Sequence, residues 1–223
     1  MAKTLVAIPC MQKMDTDFVT SIMGMERIPD THFTFLQGSL VYDSRNTLAI
    51  NAITGGYERI LFVDSDMVLP PDTLKALSAD MDTGLEYVSA LCFSRQAPIK
   101  PMIYDRADVE KAEPYDRALT DMYWNYPKDA LFRVAGSGFG CVMISVDLIR
   151  RVWDKHGPAF LPTSCMGEDL AFCIRARDIG AELWCDSRVK VGHIGQVVYD
   201  ERVYVVPAVE RLPDLRKQKR RTE

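Results

Sequence analysis

The chain lacks any apolar run long enough to cross a membrane, although 48% of its 223 residues are hydrophobic. A transmembrane helix needs about 20 consecutive apolar residues, and the apolar run after Lys3 is interrupted by Pro9, Lys13 and Asp15. The same run is too short for the core of a signal peptide. We therefore expect no transmembrane segment and a cytoplasmic protein that buries one sizeable core.

Histidine is also scarce, and the cysteines lack the paired spacing of metal and redox sites. The chain has six cysteines and three histidines, and no two cysteines form a Cys-x-x-Cys pair. Several cysteines lie within apolar segments, such as Cys92 in Ala-Leu-Cys-Phe and Cys141 in Gly-Cys-Val-Met. These features argue against a disulfide framework and a structural zinc site, so we expect reduced, buried cysteines.

Positive charge is too sparse for a protein that binds polyanions over its whole surface. Lys and Arg number 27 against 31 Asp and Glu, and the formal net charge is -4. The exception is residues 206–223, where the stretch from Arg211 holds six basic and two acidic residues. Such an end is typically a solvated, flexible tail; the alternative is a patch that contacts anionic lipid, nucleic acid or a partner. We predict one domain over residues 1–205, followed by this basic tail.

The order of the sequence patterns indicates an α/β fold. Short apolar runs predict strands at residues 4–8, 32–37 and 59–63, which alternate with helical patterns at residues 15–25, at a helix capped by Asp43 and Ser44, and after Pro71. This alternation predicts a mostly parallel central sheet flanked by helices, a Rossmann-like arrangement whose ligands bind beyond the carboxyl ends of the strands.

The second half of the chain is less regular. Residues 104–129 have weak periodicity and predict a long surface loop that acts as a lid or binding segment. Tyr123, Trp124 and Tyr126 in that segment either stack on a ring of a bound ligand or anchor the loop to the body. Two short strands are predicted at residues 182–185 and 188–191.

Two carboxylates, Asp64 and Asp66, directly follow the buried strand at residues 59–63. Burial of an unpaired charge costs roughly several kcal/mol, so two acids at this position are not expected in an apolar core. Carboxylate oxygens at a ligand-binding edge suit Mg²⁺ or Mn²⁺, which in turn hold a diphosphate.

Four more residues carry candidate chemistry. Glu168 and Asp169 open a helix, where they either stabilise the helix dipole or supply a general base at the mouth of the site. His193 stands beside Gly192 after a strand, either as a structural histidine or as a further metal ligand. Arg45 fits phosphate binding and an exposed helix start equally well.

A glycine-rich segment, residues 136–140, has the spacing Gly-x-Gly-x-Gly but precedes a strand. The dinucleotide fingerprint follows a strand and opens a helix, so the segment does not indicate an NAD site. Close approach of its backbone to a sugar or to a neighbouring strand explains these glycines better.

Taken in chain order, these motifs resemble the family 2 glycosyltransferases of GT-A fold over roughly residues 3–195. The matching positions are Ile8-Pro9, Ser44-Arg45-Asn46, residues 62–66, Gly138, Gly167-Glu168-Asp169 and Gly192-His193. The resemblance implies a single GT-A domain that transfers a sugar from a nucleotide-diphosphate donor to an acceptor hydroxyl, with inversion and with Mn²⁺ or Mg²⁺.

The resemblance also implies a role for each residue. Asp66 binds the metal, Asp64 points towards the ribose or a metal-bound water, and His193 completes the metal shell. Asp169 is the base, and Glu168 holds acceptor hydroxyls.

The nucleotide pocket is less fully matched. By the same resemblance Pro9 and Arg45 line it, and Gly138 shapes the donor site. The chain departs from the family at residues 10–13, where family members have a short polar turn. It also lacks the Gln-x-x-Arg-Trp motif of processive members. We therefore expect a single addition.

Other functions share parts of this pattern. A nucleotidyltransferase also needs a carboxylate pair and a metal, a retaining glycosyltransferase differs only in product configuration, and a non-catalytic module of the same fold would use its basic tail on nucleic acid or a membrane. We expect a UDP- or GDP-sugar as donor. No residue selects the acceptor, and the basic tail makes nucleic acid one acceptor to test.

Overall fold

The computed structural model describes residues 2–38, 40–95 and 98–195. Its strands are β1 (Thr4–Cys10), β2 (Thr31–Gln37), β3 (Arg59–Val63), β4 (Met67–Val68), β5 (Tyr87–Leu91), β6 (Ile103–Glu110), β7 (Arg117–Met122), β8 (Leu131–Val134), β9 (Gly136–Ser137), β10 (Cys141–Ser145), β11 (Leu183–Lys190) and β12 (Gly192–His193). Its helices are α1 (Thr16–Gly24), α2 (Val41–Thr54), α3 (Thr73–Met81), α4 (Val146–His156) and α5 (Glu168–Asp178).

A seven-stranded sheet with the order β2-β1-β3-β10-β5-β11-β8 forms the centre of the fold. β1 pairs in parallel with β2 and β3, and β5 pairs in parallel with β11. β10 is antiparallel to both β3 and β5, and β8 is antiparallel to β11. β10 and β8 therefore run against the other strands, and the predicted mostly parallel α/β sheet is confirmed.

Both faces of this sheet are covered. Along β1, Leu5 and Ala7 pack into one apolar cluster with residues of α2, α4 and α5, whereas Val6 and Ile8 pack into a second cluster with residues of α1 and α3. A strand with two buried faces needs apolar side chains at every position, which explains the unbroken apolar runs of the sequence. The helices cover the two faces of the sheet, and polar side chains lie at its edge, at the carboxyl ends of β1 and β3.

Three local predictions were wrong. Helix α2 begins at Val41 and has no side-chain cap, so Asp43 and Ser44 lie inside the helix. Residues 183–190 form one strand, β11, with a bulge between Asp186 and Lys190, instead of two strands. The segment predicted as a long loop contains β6 and β7, which pair as an antiparallel hairpin and join β9 in a three-stranded sheet.

Two further expectations concern the cysteines and the membrane. All six cysteines are free thiols; four are buried, and Cys10 and Cys165 are partly exposed. Within the described ranges, no helix is both long enough and apolar enough to cross a membrane. The predicted basic tail at residues 206–223 lies outside the described residues, and the division at residue 205 stays a prediction.

Candidate functional site

An open cleft of about 770 Å³ lies at the carboxyl ends of β1 and β3. We call it the carboxylate cleft, because Asp64, Ser65 and Asp66 line it. Pro9 lines it from the end of β1, and Lys13 and Arg95 supply its positive charge. The structure therefore brings three of the predicted site residues, Pro9, Asp64 and Asp66, to one surface at the edge where α/β sheets bind ligands.

Asp64 is the first residue after β3. Its backbone N–H donates to the carbonyl oxygen of Gly140 at 3.0 Å, which holds the strand end against the residue that precedes β10. Its Oδ1 accepts a hydrogen bond from Nη2 of Arg45 at 2.5 Å, and its side chain is 32% exposed. Asp64 thus lines the cleft and also pairs with the buried guanidinium of Arg45.

Asp66 and His193 meet across two short strands. β12 pairs with β4, which places His193 opposite Met67, and the N–H of Ile194 donates to the carbonyl oxygen of Asp66 at 2.8 Å. This pairing brings Nε2 of His193 to 3.2 Å from Oδ2 of Asp66. The sequence separates the two residues by 127 positions, and the β-bridge joins them.

The other ring nitrogen of His193 fixes how the imidazole is protonated. Nδ1 lies 2.7 Å from the carbonyl oxygen of Phe93, and a carbonyl only accepts, so Nδ1 carries the proton. In the neutral ring the lone pair of Nε2 then faces the carboxylate of Asp66. Metal-binding histidines have this arrangement, in which a carbonyl holds one nitrogen and leaves the other for the metal.

The electrostatics of this pair favour a cation between its two members. The hydrogen bond to Asp66 raises the pKa of His193 above its usual value, and the bond to Phe93 adds to this effect against burial. Burial by itself raises the pKa of Asp66, but the hydrogen bond and charge of His193, with the charge of Arg95, lower it below its usual value. A proton or a metal ion satisfies both groups.

The donor set fits a divalent metal that keeps several other ligands. Asp66 offers a carboxylate oxygen and His193 offers an oriented imidazole nitrogen. Across the residues that the structure describes, there is no group of three or more His, Cys, Asp or Glu side chains placed to hold a metal. A two-residue set suits Mn²⁺ or Mg²⁺, because these ions commonly complete their shells with water and substrate phosphates.

Arg45 lies beneath the carboxylate cleft in helix α2. Its side chain is only 2% exposed; Nη2 binds Asp64 and Nη1 binds Glu168 through a short hydrogen bond. The guanidinium also lies over the ring of Phe139, 5.2 Å from the centroid. Arg45 therefore joins the end of β3 to the start of α5. Arg45 is not among the residues that line the cleft, and its predicted place in the nucleotide pocket stays a prediction.

Glu168 and Asp169 form the first turn of α5, as the sequence predicted. The N–H of Leu170 donates to Oδ1 of Asp169 at 2.7 Å, and no side chain caps the helix. Burial raises the pKa of Asp169 despite this hydrogen bond and the nearby Arg45. Burial also raises the pKa of Glu168, against the charge of Arg45. The pKa values of both carboxyls therefore lie closer to neutral pH than those of exposed acids.

Gly138 lies beside Asp169. A Cβ at Gly138 would lie 3.7 Å from Oδ2 of Asp169 and 3.4 Å from Cβ of Met102. The N–H of Gly138 donates to the carbonyl oxygen of Met102 at 2.9 Å. The glycine thus leaves open the space next to the free carboxylate oxygen, which is where a small ligand group can approach Asp169.

Arg95 is a residue of the cleft that sequence reasoning missed. Its Nη1 binds Oδ2 of Asp66 at 2.6 Å, and its side chain is 54% exposed. No sequence pattern marks it, because it follows β5 in an irregular segment and its partner lies 29 residues earlier. The one feature that could have indicated Arg95 is its position just after a strand of the sheet, where ligands of α/β folds bind.

Two of the three aromatic residues predicted to stack on a ligand or to anchor the loop have the anchoring role. Tyr123 packs edge-on against Phe132 with centroids 5.5 Å apart, and Tyr126 stacks on the same ring at 6.2 Å. These two side chains anchor the segment to the core. Trp124 is 55% exposed, so its indole ring is open to solvent.

Similar proteins are found by comparison of structures but not by comparison of sequences. No family model matches the chain, and no curated protein matches it by sequence. Among solved structures, A197 from STIV aligns with a TM-score of 0.63 and 17% identity, over 92% of this chain and 99% of that one.

A second solved structure is that of GalNAc-T7 with UDP, GalNAc and Mn²⁺. It aligns with a TM-score of 0.58 and 12% identity over 99% of this chain, and this chain spans 48% of its length. At such identities the likeness concerns the fold alone. The chain has a glycosyltransferase-like fold of the GT-A type.

Proposed function

We propose that this protein is a metal-dependent glycosyltransferase, a member of family 2, that moves a sugar from a nucleotide-diphosphate donor to an acceptor hydroxyl. The observation that carries the proposal is the convergence of Asp66 Oδ2 and His193 Nε2, 3.2 Å apart, beside a cleft at the carboxyl edge of a GT-A sheet. The six free cysteines are in keeping with action in the reducing cytoplasm.

Asp66 and His193 would hold the metal, and Asp64 would face the ribose or a metal-bound water. A bound Mn²⁺ or Mg²⁺ supplies positive charge that stabilises the departing diphosphate. Asp66 carries its negative charge at neutral pH because its pKa is lowered by His193 and Arg95 against the effect of burial. His193 presents Nε2 because Phe93 holds its other nitrogen.

Asp169 acts in this proposal as the general base. Its Oδ1 is held by the N–H of Leu170, so Oδ2 is free to take the acceptor proton. The raised pKa of Asp169, caused by burial, makes it a stronger base than an exposed aspartate. A base that deprotonates the acceptor opposite the leaving group gives inversion, and Glu168, held by Arg45, would orient acceptor hydroxyls.

The donor is proposed to be a UDP- or GDP-sugar, used for a single addition. The UDP, GalNAc and Mn²⁺ named for the GalNAc-T7 structure support a nucleotide-sugar donor with a metal. Pro9 would contact the base or ribose from the cleft wall, and Gly138 would admit the sugar next to Asp169. The acceptor is not identified, and the basic C-terminal tail makes nucleic acid one acceptor to test.

Calorimetric titration with UDP-, GDP-, TDP- and CDP-sugars tests the donor site. We expect one nucleotide class to bind only with Mn²⁺, and we expect EDTA or Asp66→Asn to abolish binding. Asp82→Asn is the matched control, because Asp82 also pairs with an arginine but is 68% exposed and does not line the cleft. A folded protein that binds none of these donors with Mn²⁺ present would contradict the donor site.

Product analysis separates the two enzyme classes. A glycosyltransferase releases a nucleoside diphosphate, whereas a nucleotidyltransferase releases pyrophosphate. We expect Asp169→Asn to keep donor affinity and to lower turnover about 10²- to 10⁴-fold, the usual loss when a general base is removed. Pyrophosphate release, or full turnover by Asp169→Asn, would refute the assignment.

A further inference from the structure

One carboxylate oxygen in the carboxylate cleft has two nitrogen partners. Oδ2 of Asp66 binds Nη1 of Arg95 at 2.6 Å and faces Nε2 of His193 at 3.2 Å. Arg95 and His193 thus contact the same atom from different segments, one following β5 and the other in β12. In this geometry Oδ2 is the oxygen of Asp66 that lies nearest to Nε2 of His193, so a cation held between the two residues meets Arg95 at the same atom.

A divalent ion and the Arg95 guanidinium compete for Oδ2 of Asp66. The ion would be held by the oxygen and the nitrogen that face each other across 3.2 Å. Two positive groups on one oxygen repel each other strongly at such distances, so an ion bound there displaces the guanidinium. The pair that must break is weak, because Arg95 is 54% exposed and exposed ion pairs contribute little.

The displaced side chain stays near the cleft because the backbone of Arg95 packs against Gly195. Gly195 packs against Arg95 so closely that a Cβ at position 195 would lie 2.8 Å from the Arg95 carbonyl oxygen. The freed guanidinium can therefore turn about its side-chain bonds while its main chain remains at the cleft wall. It then presents a planar set of N–H donors, which suits two phosphate oxygens at once.

We propose that Arg95 exchanges Asp66 for the diphosphate of the donor when the metal ion binds. Arg95 opposes the metal ion when no nucleotide is present and binds the diphosphate once the metal has released it. This makes the binding of metal and diphosphate cooperative, because the metal frees the group that the diphosphate needs. The inference rests on the proposed glycosyltransferase site and adds a residue and a binding order to it.

The exchange predicts opposite effects of one substitution on two ligands. In Arg95→Gln, Mn²⁺ added alone should bind about two- to fivefold more tightly, because an exposed competing ion pair is gone. UDP or GDP added with saturating Mn²⁺ should bind roughly tenfold more weakly, because a charge-assisted hydrogen bond to phosphate is lost. A residue that only supports the fold would weaken both ligands together.

Both affinities are measurable without turnover. Mn²⁺ binding is followed by electron paramagnetic resonance of the free ion, and UDP and GDP binding by calorimetry, with thermal melting to verify folding. Arg106→Gln is the matched control, because Arg106 is an equally exposed arginine paired with Asp108 at 3.6 Å outside the cleft. It should change neither affinity.

Each outcome decides the inference. Tighter Mn²⁺ binding together with weaker nucleotide binding supports it. Unchanged or weaker Mn²⁺ binding in Arg95→Gln, with normal binding by the wild type, overturns the exchange and leaves the proposed function standing. Failure of the wild type to bind Mn²⁺ at all overturns both, and Asp66→Asn then behaves like the wild type in the same measurement.

Discussion

Replacement of Arg45 by methionine tests the link between the end of β3 and the start of α5. Methionine has a similar length and can pack against Phe139, so it removes the charge and leaves little empty space. It also leaves Asp64 and Glu168, whose side chains are 32% and 15% exposed, without their counter-charge. The buried carboxylate of Glu168 therefore bears most of the cost.

The magnitude follows from this burial. Removal of one partner from a fully buried ion pair costs about 3–5 kcal/mol, and the exposure of Asp64 lowers this to about 2–4 kcal/mol. A typical domain is stable by about 5–15 kcal/mol, so the variant should fold but unfold at much lower denaturant. Urea titration followed by the fluorescence of the three tryptophans measures the loss.

The pH dependence identifies Glu168 as the source of this cost. Burial already raises the pKa of Glu168, and loss of the Arg45 charge raises it further. Because the folded state then favours the protonated carboxyl, the destabilisation is small at low pH and grows as pH rises through the raised pKa. The double variant Arg45→Met with Glu168→Gln should recover most of the stability. A penalty independent of pH, or additive in the double variant, would refute this reasoning.

Two further predictions concern residues outside the cleft. Burial raises the pKa of Asp80 to about 6, and the hydrogen bond and charge of Asp186 add to this effect. The folded state therefore favours protonated Asp80. Relative to the wild type, the unfolding free energy of Asp80→Asn should rise by about 1 kcal/mol between pH 5 and pH 8, measured by urea titration. A difference that does not change with pH would contradict this prediction. A Cβ at Gly136 would lie 2.9 Å from Cδ2 of Leu170, so Gly136→Ala should lower the melting temperature, whereas Gly138→Ala, with its nearest contact at 3.4 Å, should leave it almost unchanged.

The parts of the site that could be predicted are those set by local sequence. The apolar run of β3 followed at once by Asp64 and Asp66 places both acids at the carboxyl edge of the sheet. Glu168 and Asp169 were expected in the first turn of a helix, because acids there interact favourably with the helix dipole, and they begin α5. In both cases a single segment contains all the information.

The missed features depend on contacts between distant segments. The sequence predicts Arg45 in the first turn of a helix, but α2 begins four positions earlier, and the partner Glu168 lies 123 residues away. The β6–β7 hairpin escaped prediction because its strands are half-exposed, with charged residues on both faces and no regular alternation of apolar side chains. The alternation of apolar and polar residues marks a strand that is buried on one face. A strand without a buried face lacks this alternation and is not predicted from the sequence.

Asp64 and Asp66 are alike in sequence, yet their arginine partners differ in kind. Arg45 is 2% exposed and joins two carboxylates, so its pairing with Asp64 is part of the folded framework. Arg95 is 54% exposed and joins one carboxylate, so its pairing with Asp66 can break without unfolding. The same two-residue spacing thus holds one acid in place and leaves the other open to exchange its cation. In the proposed function, this division would let Asp66 exchange Arg95 for a metal ion while the strand end that carries Asp64 stays in place.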